Sequence, residues 1–553
     1  MAKSDTSDPE SGEPAAPDGM SPEQVDKLGR ERPPAFKTWW AEWAFCASIL
    51  GSMLMAEFFI SGFVLVLPAV TRALDMPPGT QTWPASVFAI VSGSLLFPFG
   101  RVADMYGGRL VYICGLLWYA VWCLIAGFSP NHQVLIVARA MQGFGPAAFL
   151  PSGVMLLGSN YRPGPRKNMV FSLYGSCAPV GFFIGILAGG ATAEYMTWSW
   201  YFWLGSIVLF IIGVASIFGI PVETSRPKDA QDVRMDWWGL VTTVPGLLLV
   251  IFAITQGAHA PQGFATPYVY VTLVVGLLLL GAAVYVEGWV AEQPLIPYDL
   301  FAPKYMTAMV IGLFNIYGAF GVFQFYASFY IQNILGHGPL LAALWFSPLC
   351  AGGFVLAIIG GVVLHKLPNH ALLVISGLGS VVSTILFVFI PADSDLNYWA
   401  WVFPAMLGAT VGVDIAYNVS SVFMTTSLPS HRQGLAGALI NTLIFLGVGL
   451  YLGVADLIVQ TTAPAQQHNG GPAAADPASA REGQIAGFRN AFWLAFACSA
   501  SALLILGLFA RVGRAKSDLT FDEKQQLQAE ALRVQAAPPA AEAKGTSSGA
   551  SSS

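Results

Sequence analysis

The chain has 553 residues, 55% of them hydrophobic and only 10% charged, with a formal net charge of −5. Soluble domains carry roughly 25% charged residues, so this composition excludes an ordinary water-soluble domain. The basic residues are scattered through short loops and form no stripe, which excludes a nucleic-acid partner.

Residues 1–43 open on a stretch rich in Pro, Ser, Gly, Asp and Glu, which buries too little apolar surface to fold and is expected to be a disordered cytoplasmic tail. No charged-then-apolar leader with a small-residue cleavage site precedes the first span, which is expected to act as its own insertion signal. A membrane span needs about 20 predominantly apolar residues. Such runs lie at 44–68, 81–100, 110–128, 133–157, 169–193 and 199–220, followed by the charged stretch Glu223–Asp236. Two more, 238–257 and 268–290, precede a polar break carrying Glu292, Asp299 and Lys304. The last six are 306–333, 340–364, 371–391, 398–425, 433–459 and 488–511. The pattern predicts an all-α integral membrane protein with fourteen transmembrane helices. It divides into a six-helix bundle over 44–222, a linker with two extra spans over 223–304, a second six-helix bundle over 305–512 and a C-terminal tail over 513–553.

Orientation follows from the excess of Lys and Arg in cytoplasmic loops. With the N-terminus inside, that side carries Arg101, Arg109, Arg162, Arg166, Lys167, Arg226, Lys228, Arg234, Lys304, Lys366, Arg432 and Arg511, while the other holds Arg72, Arg481 and Arg489. Both termini are therefore expected in the cytoplasm. The external segment Thr461–Gly487, full of Ala, Pro, Gly and Gln, reads as a flexible loop. Six cysteines, Cys46, Cys114, Cys123, Cys177, Cys350 and Cys498, lie inside apolar runs at no metal spacing and read as small core residues, implying neither metal nor cofactor.

A charge at the centre of a spanning helix costs about 3 kcal/mol on insertion scales, so each one needs a reason. Glu57, Arg139 and Asp414 lie within spans, while Glu287 and Asp456 lie near span ends. Glu57 and Asp414 read as proton-titrating or substrate-binding carboxyls, since a carboxyl taken out of water can exchange its proton near neutral pH. The competing reading is a fixed ion pair, such as Glu57 with Arg139. In the ninth span Asn315, Phe320, Phe323, Gln324 and Tyr326 mix aromatic and amide groups, which suits a cavity for amphipathic solutes. In the fifth span Gly181, Gly185 and Gly189 recur every four residues after Pro179, with Gly190 adjacent, a row that admits another helix closely.

The charged stretch Gly100–Arg109 sits between the second and third spans and reads as a glycine-broken loop at the membrane surface. It resembles the loop motif of the major facilitator superfamily, with Gly100, Asp104, Gly108 and Arg109 in place and Arg101 beside them. Arg139-Ala140-Met141-Gln142-Gly143 resembles the fourth-span motif of the same superfamily, and Gly181–Gly190 its fifth-span antiporter motif. Gly412-Val413-Asp414, Tyr330-Ile331-Gln332 and Gln433–Gly437 leading to Asn441-Thr442 resemble the fungal fourteen-span drug:proton antiporters, including the aminotriazole and boron resistance type. The chain departs from that pattern in Gly185-Ile186, where the motif has Gly-Pro, in His365, where a repeated loop motif has an acid, and in Phe59, where branch members often carry Asp. Glu57 lies about 200° round the helix from residue 59.

The resemblance implies two bundles rocking about a central cavity. Gly100, Arg101, Asp104, Gly108 and Arg109 would form a conformational latch, with Asp104 against a helix N-terminus of the second bundle. Glu57, Arg139, Gln142, Asp414, Asn315, Phe320, Phe323, Gln324 and Tyr326 would serve proton coupling or the substrate cavity. The expected function is proton-coupled efflux of small organic molecules by a monomer in the lipid bilayer of the plasma or vacuolar membrane. Carriage of a small polar solute such as ammonium or borate, or a non-transporting sensor, are the alternatives. No phosphate-binding loop is present to suggest an ATP-driven pump or enzyme.

Overall fold

The computed structural model describes residues 31–161, 165–221, 233–257, 259–392, 396–427, 433–462 and 477–512. The far N-terminal tail, most of the charged stretch after the sixth span, the centre of the Thr461–Gly487 loop and the C-terminal tail lie outside the described residues. Among the described residues, fourteen helical segments are long and apolar enough to cross a membrane.

The first bundle is built from α1 (Trp39–Ala73), α2 (Trp83–Tyr106), α3 (Gly108–Gly127), α4 (His132–Asn160), α5 (Pro165–Tyr195) and α6 (Trp198–Gly219). The linker hairpin is α7 (Trp237–Gly257) and α8 (Pro267–Tyr285), the latter continued by a π turn at Val286–Val290. The second bundle is α9 (Met306–Phe329), extended by a π turn at Tyr330–Ile334, then α10 (Pro339–Trp345) and α11 (Ser347–Lys366), which together make one span, α12 (Asn369–Val388), α13 (Tyr398–Thr426), α14 (Gln433–Thr462) and α15 (Pro477–Phe509).

Polar side chains start several helices by accepting the first free backbone N–H groups. Thr38 Oγ1 accepts from Ala41 N at 3.2 Å, Asn131 Oδ1 from Val134 N at 2.9 Å and Asn397 Oδ1 from Trp399 N at 3.1 Å. The Thr38 cap starts α1 several residues before the predicted span, so residues 39–43 are helical rather than part of the tail. At 35 residues and about 1.5 Å per residue, α1 exceeds the apolar thickness of a bilayer. Its first turns carry Trp39, Trp40 and Trp43, and the beginning and end of the linker hairpin carry Trp237 and Trp289, all of them exposed. Such a belt of tryptophans suits the membrane interface.

The stretch predicted as a loop is mostly helix. Nothing in residues 100–106 breaks the helical pattern, so α2 continues to Tyr106, and the break is one residue, Gly107, at φ 95°. That left-handed conformation is open to glycine without the strain a Cβ would bring, and α3 begins at once with Gly108.

Within the first bundle α1 packs on α5 and α6, and α4 on α2 and α3; in the second, α9 packs on α14 and α15, and α13 on α11 and α12. The end of the molecule bearing Arg101, Arg109, Arg166 and Lys167 is here termed the basic end. At the opposite end the bundles are sealed together. Ser328 Oγ donates to Val64 O at 2.9 Å, Gln332 Nε2 to Leu65 O at 3.1 Å, and Leu340 N to Glu194 Oε2 at 3.0 Å. The α2–α14 seam closes with Gly93 against Leu446 and Gly449 against Ile90.

Candidate functional site

Beneath this seal, between the bundles, lies a cavity lined largely by apolar and aromatic groups. Three of its lining side chains are ionic types: Glu57 on α1, Arg139 on α4 and Asp414 on α13. Helical periodicity selects the lining. On α9 residues 317, 320, 321 and 324 recur at spacings of three and four, on α13 residues 410, 413, 414 and 417, and on α14 residues 441, 444, 445 and 448.

Glu57 and Asp414 come from different bundles, and both face the cavity. Asp414 Oδ2 accepts from Thr410 Oγ1 at 2.7 Å, one helical turn earlier, and Gly353 on α11 leaves room beside it. The Glu57 carboxyl takes no hydrogen bond from any described residue, and the hydroxyl of Ser61 is committed elsewhere, to Glu57 O and to Phe182 O. Phe59 is fully buried in the first bundle against Tyr119, Tyr201 and Phe202. The angle between positions 57 and 59 is thus what gives this chain its acid in the cavity and its aromatic in the bundle core.

Arg139 is 1% exposed and has no carboxylate partner among the described residues. The ion pair with Glu57, one of the two readings of these charges, is not formed. The guanidinium is held between two rings instead, with its central carbon 4.1 Å from the Phe63 centroid and 4.3 Å from that of Phe88. It also donates to Pro84 O at 3.0 Å and Gln142 Oε1 at 2.7 Å. Such cation–π contacts are worth about 0.5 to 2 kcal/mol each, and here they stand where a counter-ion would. Gln142 is buried outside the cavity wall, its Nε2 donating to Trp122 O at 3.1 Å, and therefore orients Arg139 rather than meeting a solute.

On α9 the expectation divides. Phe320 and Gln324 line the cavity. Phe323, Tyr326 and Asn315 do not, which corrects the sequence reading: at 100° per residue they fall on other faces of the helix. Phe323 packs edge-on to Phe387 at 5.0 Å, and Tyr326 lies 5.5 Å from the Phe488 ring, both inside the second bundle. Asn315 Oδ1 accepts from Tyr451 OH at 2.7 Å, tying α9 to α14. Sequence reasoning missed Phe182, Tyr317, Phe325, Tyr417 and Phe445 in the lining; the three-and-four spacing from Phe320, Asp414 and Asn441 was the available signal.

The glycine row of α5 meets α1 backbone to backbone. A Cβ at Gly181 would strike Leu54 O, at Gly185 it would lie 2.5 Å from Phe58 O, and at Gly189 2.5 Å from Gly62 O. Gly190 faces α10 at Ala343 and Pro339, across the bundle boundary, and Pro179 lines the cavity.

At the basic end Arg101 Nη2 donates to Gln293 O of the linker at 2.8 Å, and Arg109 Nη2 to Ile217 O in the last turn of α6 at 2.7 Å. Asp104 is partly exposed and makes no hydrogen bond to a described residue, and Gly100 and Gly108 face Pro151 and Leu156 of α4. Sequence reasoning also missed a buried pair: Glu42, 5% exposed, is gripped by Arg166 at 2.6 and 2.8 Å and by Tyr161 OH at 3.0 Å, pinning the start of α1 to the start of α5. That carboxylate holds the Arg166 guanidinium above its ordinary pKa.

The model of the Major Facilitator Superfamily matches residues 48–451. Over 492 residues the chain is 31% identical to the low affinity ammonium transporter of Saccharomyces cerevisiae, covering 88% of this chain and 91% of that one. Efflux pump terJ of Aspergillus terreus is 30% identical over 85% of this chain and 88% of its own. The aminotriazole resistance protein of Saccharomyces cerevisiae is 28% identical over 88% and 87%. Among solved structures, the peptide transporter POT in complex with sulfate superposes with a TM-score of 0.59 at 14% identity, over 88% of this chain and 99% of that one, a likeness of fold. Fourteen spans, two bundles about a cavity and this family match together place the chain in the Major Facilitator Superfamily, as a fungal-type membrane transporter.

Proposed function

We propose that the chain exports small amphipathic organic molecules by alternating access, driven by proton entry, with both termini on the cytoplasmic side of a plasma or vacuolar membrane and one chain as the working unit. The observation that carries this reading is the cavity itself: an apolar, aromatic chamber at the bundle interface, with one carboxyl from each bundle facing it. The aromatic groups give the cargo apolar surface, and Glu57 and Asp414 take up and release protons as the bundles rock. Efflux pumps and multidrug transporters among the relatives support export. The sealed opposite end, and an Asp104 that takes no hydrogen bond from a described residue, fit an inward-facing state, in which the Gly100–Arg109 latch is released; Asp104 would engage the second bundle when the cytoplasmic end shuts. No bond-making chemistry is needed, so the protein acts as a transporter and not as an enzyme.

A second reading, carriage of ammonium, draws on the relative of that name and on the cavity's pair of acids, which would attract a small cation. One experiment separates them. In proteoliposomes with an imposed pH gradient, a fluorescent lipophilic cation of permanent charge should accumulate against its own gradient beyond the level in protein-free vesicles, and its binding to the purified protein should be displaced by other lipophilic cations but not by ammonium. Equal flux with and without the pH gradient would overturn proton coupling, and competition by ammonium alone would favour the second reading.

A further inference from the structure

Three buried amide side chains stand on α9 and its π-turn extension, and the nitrogens of two are held by the protein. Asn315 Nδ2 donates to Ile311 O at 2.8 Å, and Gln332 Nε2 donates to Leu65 O and Ser328 Oγ, both at 3.1 Å. Gln324 is the third. It lines the cavity and is 4% exposed, yet its Nε2 makes no hydrogen bond among the described residues. Two other donors in the lining are satisfied within their own helices, Thr410 by Asp414 and Asn441 Nδ2 by Gly437 O at 2.9 Å. A buried N–H without an acceptor costs stability, so this amide is not explained by the packing of the bundle.

Its position is specific. Gln324 lies four residues from both Phe320 and Ser328 and shares their face of α9. Phe320 meets Phe182 of α5 at 6.3 Å across the bundle boundary, and Ser328 makes the seal to Val64 O. The amide therefore sits between a cross-bundle aromatic pair and the closed roof of the cavity. We propose that Gln324 is a specificity-determining residue whose amide N–H donates to an acceptor on the cargo, so that the preferred cargo is an aromatic cation carrying a carbonyl or similar acceptor rather than a purely hydrocarbon one. The rings reward apolar surface without regard to its pattern, and Glu57 and Asp414 suit positive charge wherever it lies. A hydrogen bond is directional, and a buried donor left unpaired discriminates against an analogue that lacks the acceptor. The inference rests on the amphipathic-cargo reading and names its chemistry; it is independent of proton coupling.

A matched pair of probes tests it. The para-acetylbenzyl and para-isopropylbenzyl derivatives of triphenylphosphonium share charge and nearly share shape, and differ by a carbonyl oxygen against a methyl group. Each is titrated against radiolabelled tetraphenylphosphonium on the full-length protein in nanodiscs, with empty nanodiscs subtracted. The ratio of the two dissociation constants, compared between wild type and the apolar near-isostere Gln324→Met, isolates the coupling of amide to carbonyl. The preference for the acetyl probe should fall by at least about 5-fold in the variant, the low end of what an unpaired buried polar group is worth. A purely structural role for Gln324 would weaken both probes alike and leave the ratio unchanged, which would overturn the inference. Should Gln324→Met fail to fold, Gln324→Leu completes the same cycle. Displacement by neither probe would overturn this inference together with the reading it rests on, whereas displacement by both with an unchanged ratio overturns this one alone.

Discussion

Replacing Gly185 with alanine tests whether the α1–α5 seam is as tight as its glycine row implies. The added Cβ would sit 2.5 Å from Phe58 O and from Ser61 Oγ, about 0.9 Å inside ordinary contact at 3.4 Å. Phe58 O is backbone and cannot swing aside, so the helices must separate by roughly that amount. The Ser61 Oγ to Phe182 O bond, now 2.9 Å, would then exceed the length of a hydrogen bond, a loss of about 1 kcal/mol. Overpacking itself costs about 1 to 3 kcal/mol, giving about 2 to 4 kcal/mol in all. At Gly175, on the same helix, a Cβ would meet nothing within 4 Å, and alanine there should gain about 0.5 to 1 kcal/mol of helix propensity. Thermal unfolding of the purified protein in detergent should show the Gly185→Ala midpoint several degrees below wild type and Gly175→Ala at or above it. Equal midpoints for the two variants would refute the close-packed seam.

Phe320→Ala should weaken cargo binding while leaving the melting midpoint near wild type, whereas Phe323→Ala, deep in the second bundle, should lose about 3 to 5 kcal/mol of stability; thermal unfolding and equilibrium cargo binding on the same preparations separate the two, and the reverse assignment would undo the placement of the α9 faces. Asp104→Asn should slow the transport cycle with cargo affinity nearly unchanged, measured as initial flux beside equilibrium binding, and a loss confined to binding would contradict its role as a latch.

The sequence carried the spans because their signal is local: about twenty apolar residues in a row are legible without partners. The stretch from Gly100 to Arg109 was legible as a motif but not as geometry. Its charges suggested a loop, while the helix in fact runs on to Tyr106 and only Gly107, at φ 95°, breaks it. Within the site, Glu57 and Asp414 stood out because charge in a span is expensive, and both line the cavity. Phe320, Phe323 and Tyr326 looked equivalent on composition, and only the rotation of α9 separates cavity from core. Arg139 invited a carboxylate partner, and its stabilisation by Phe63 and Phe88 depends on two other helices. Glu42 with Arg166 and His259 with Asp456 pair residues far apart in the chain, one member of each pair being an ordinary loop or interface residue with no local pattern to mark it.

If Glu57 and Asp414 couple protons to cargo, two fluxes compared in the same proteoliposomes will separate. For Glu57→Gln and Asp414→Asn, accumulation driven by an imposed pH gradient should be lost while exchange of labelled for unlabelled cargo at equal pH is retained. Wild-type gradient-driven accumulation in both variants would contradict it.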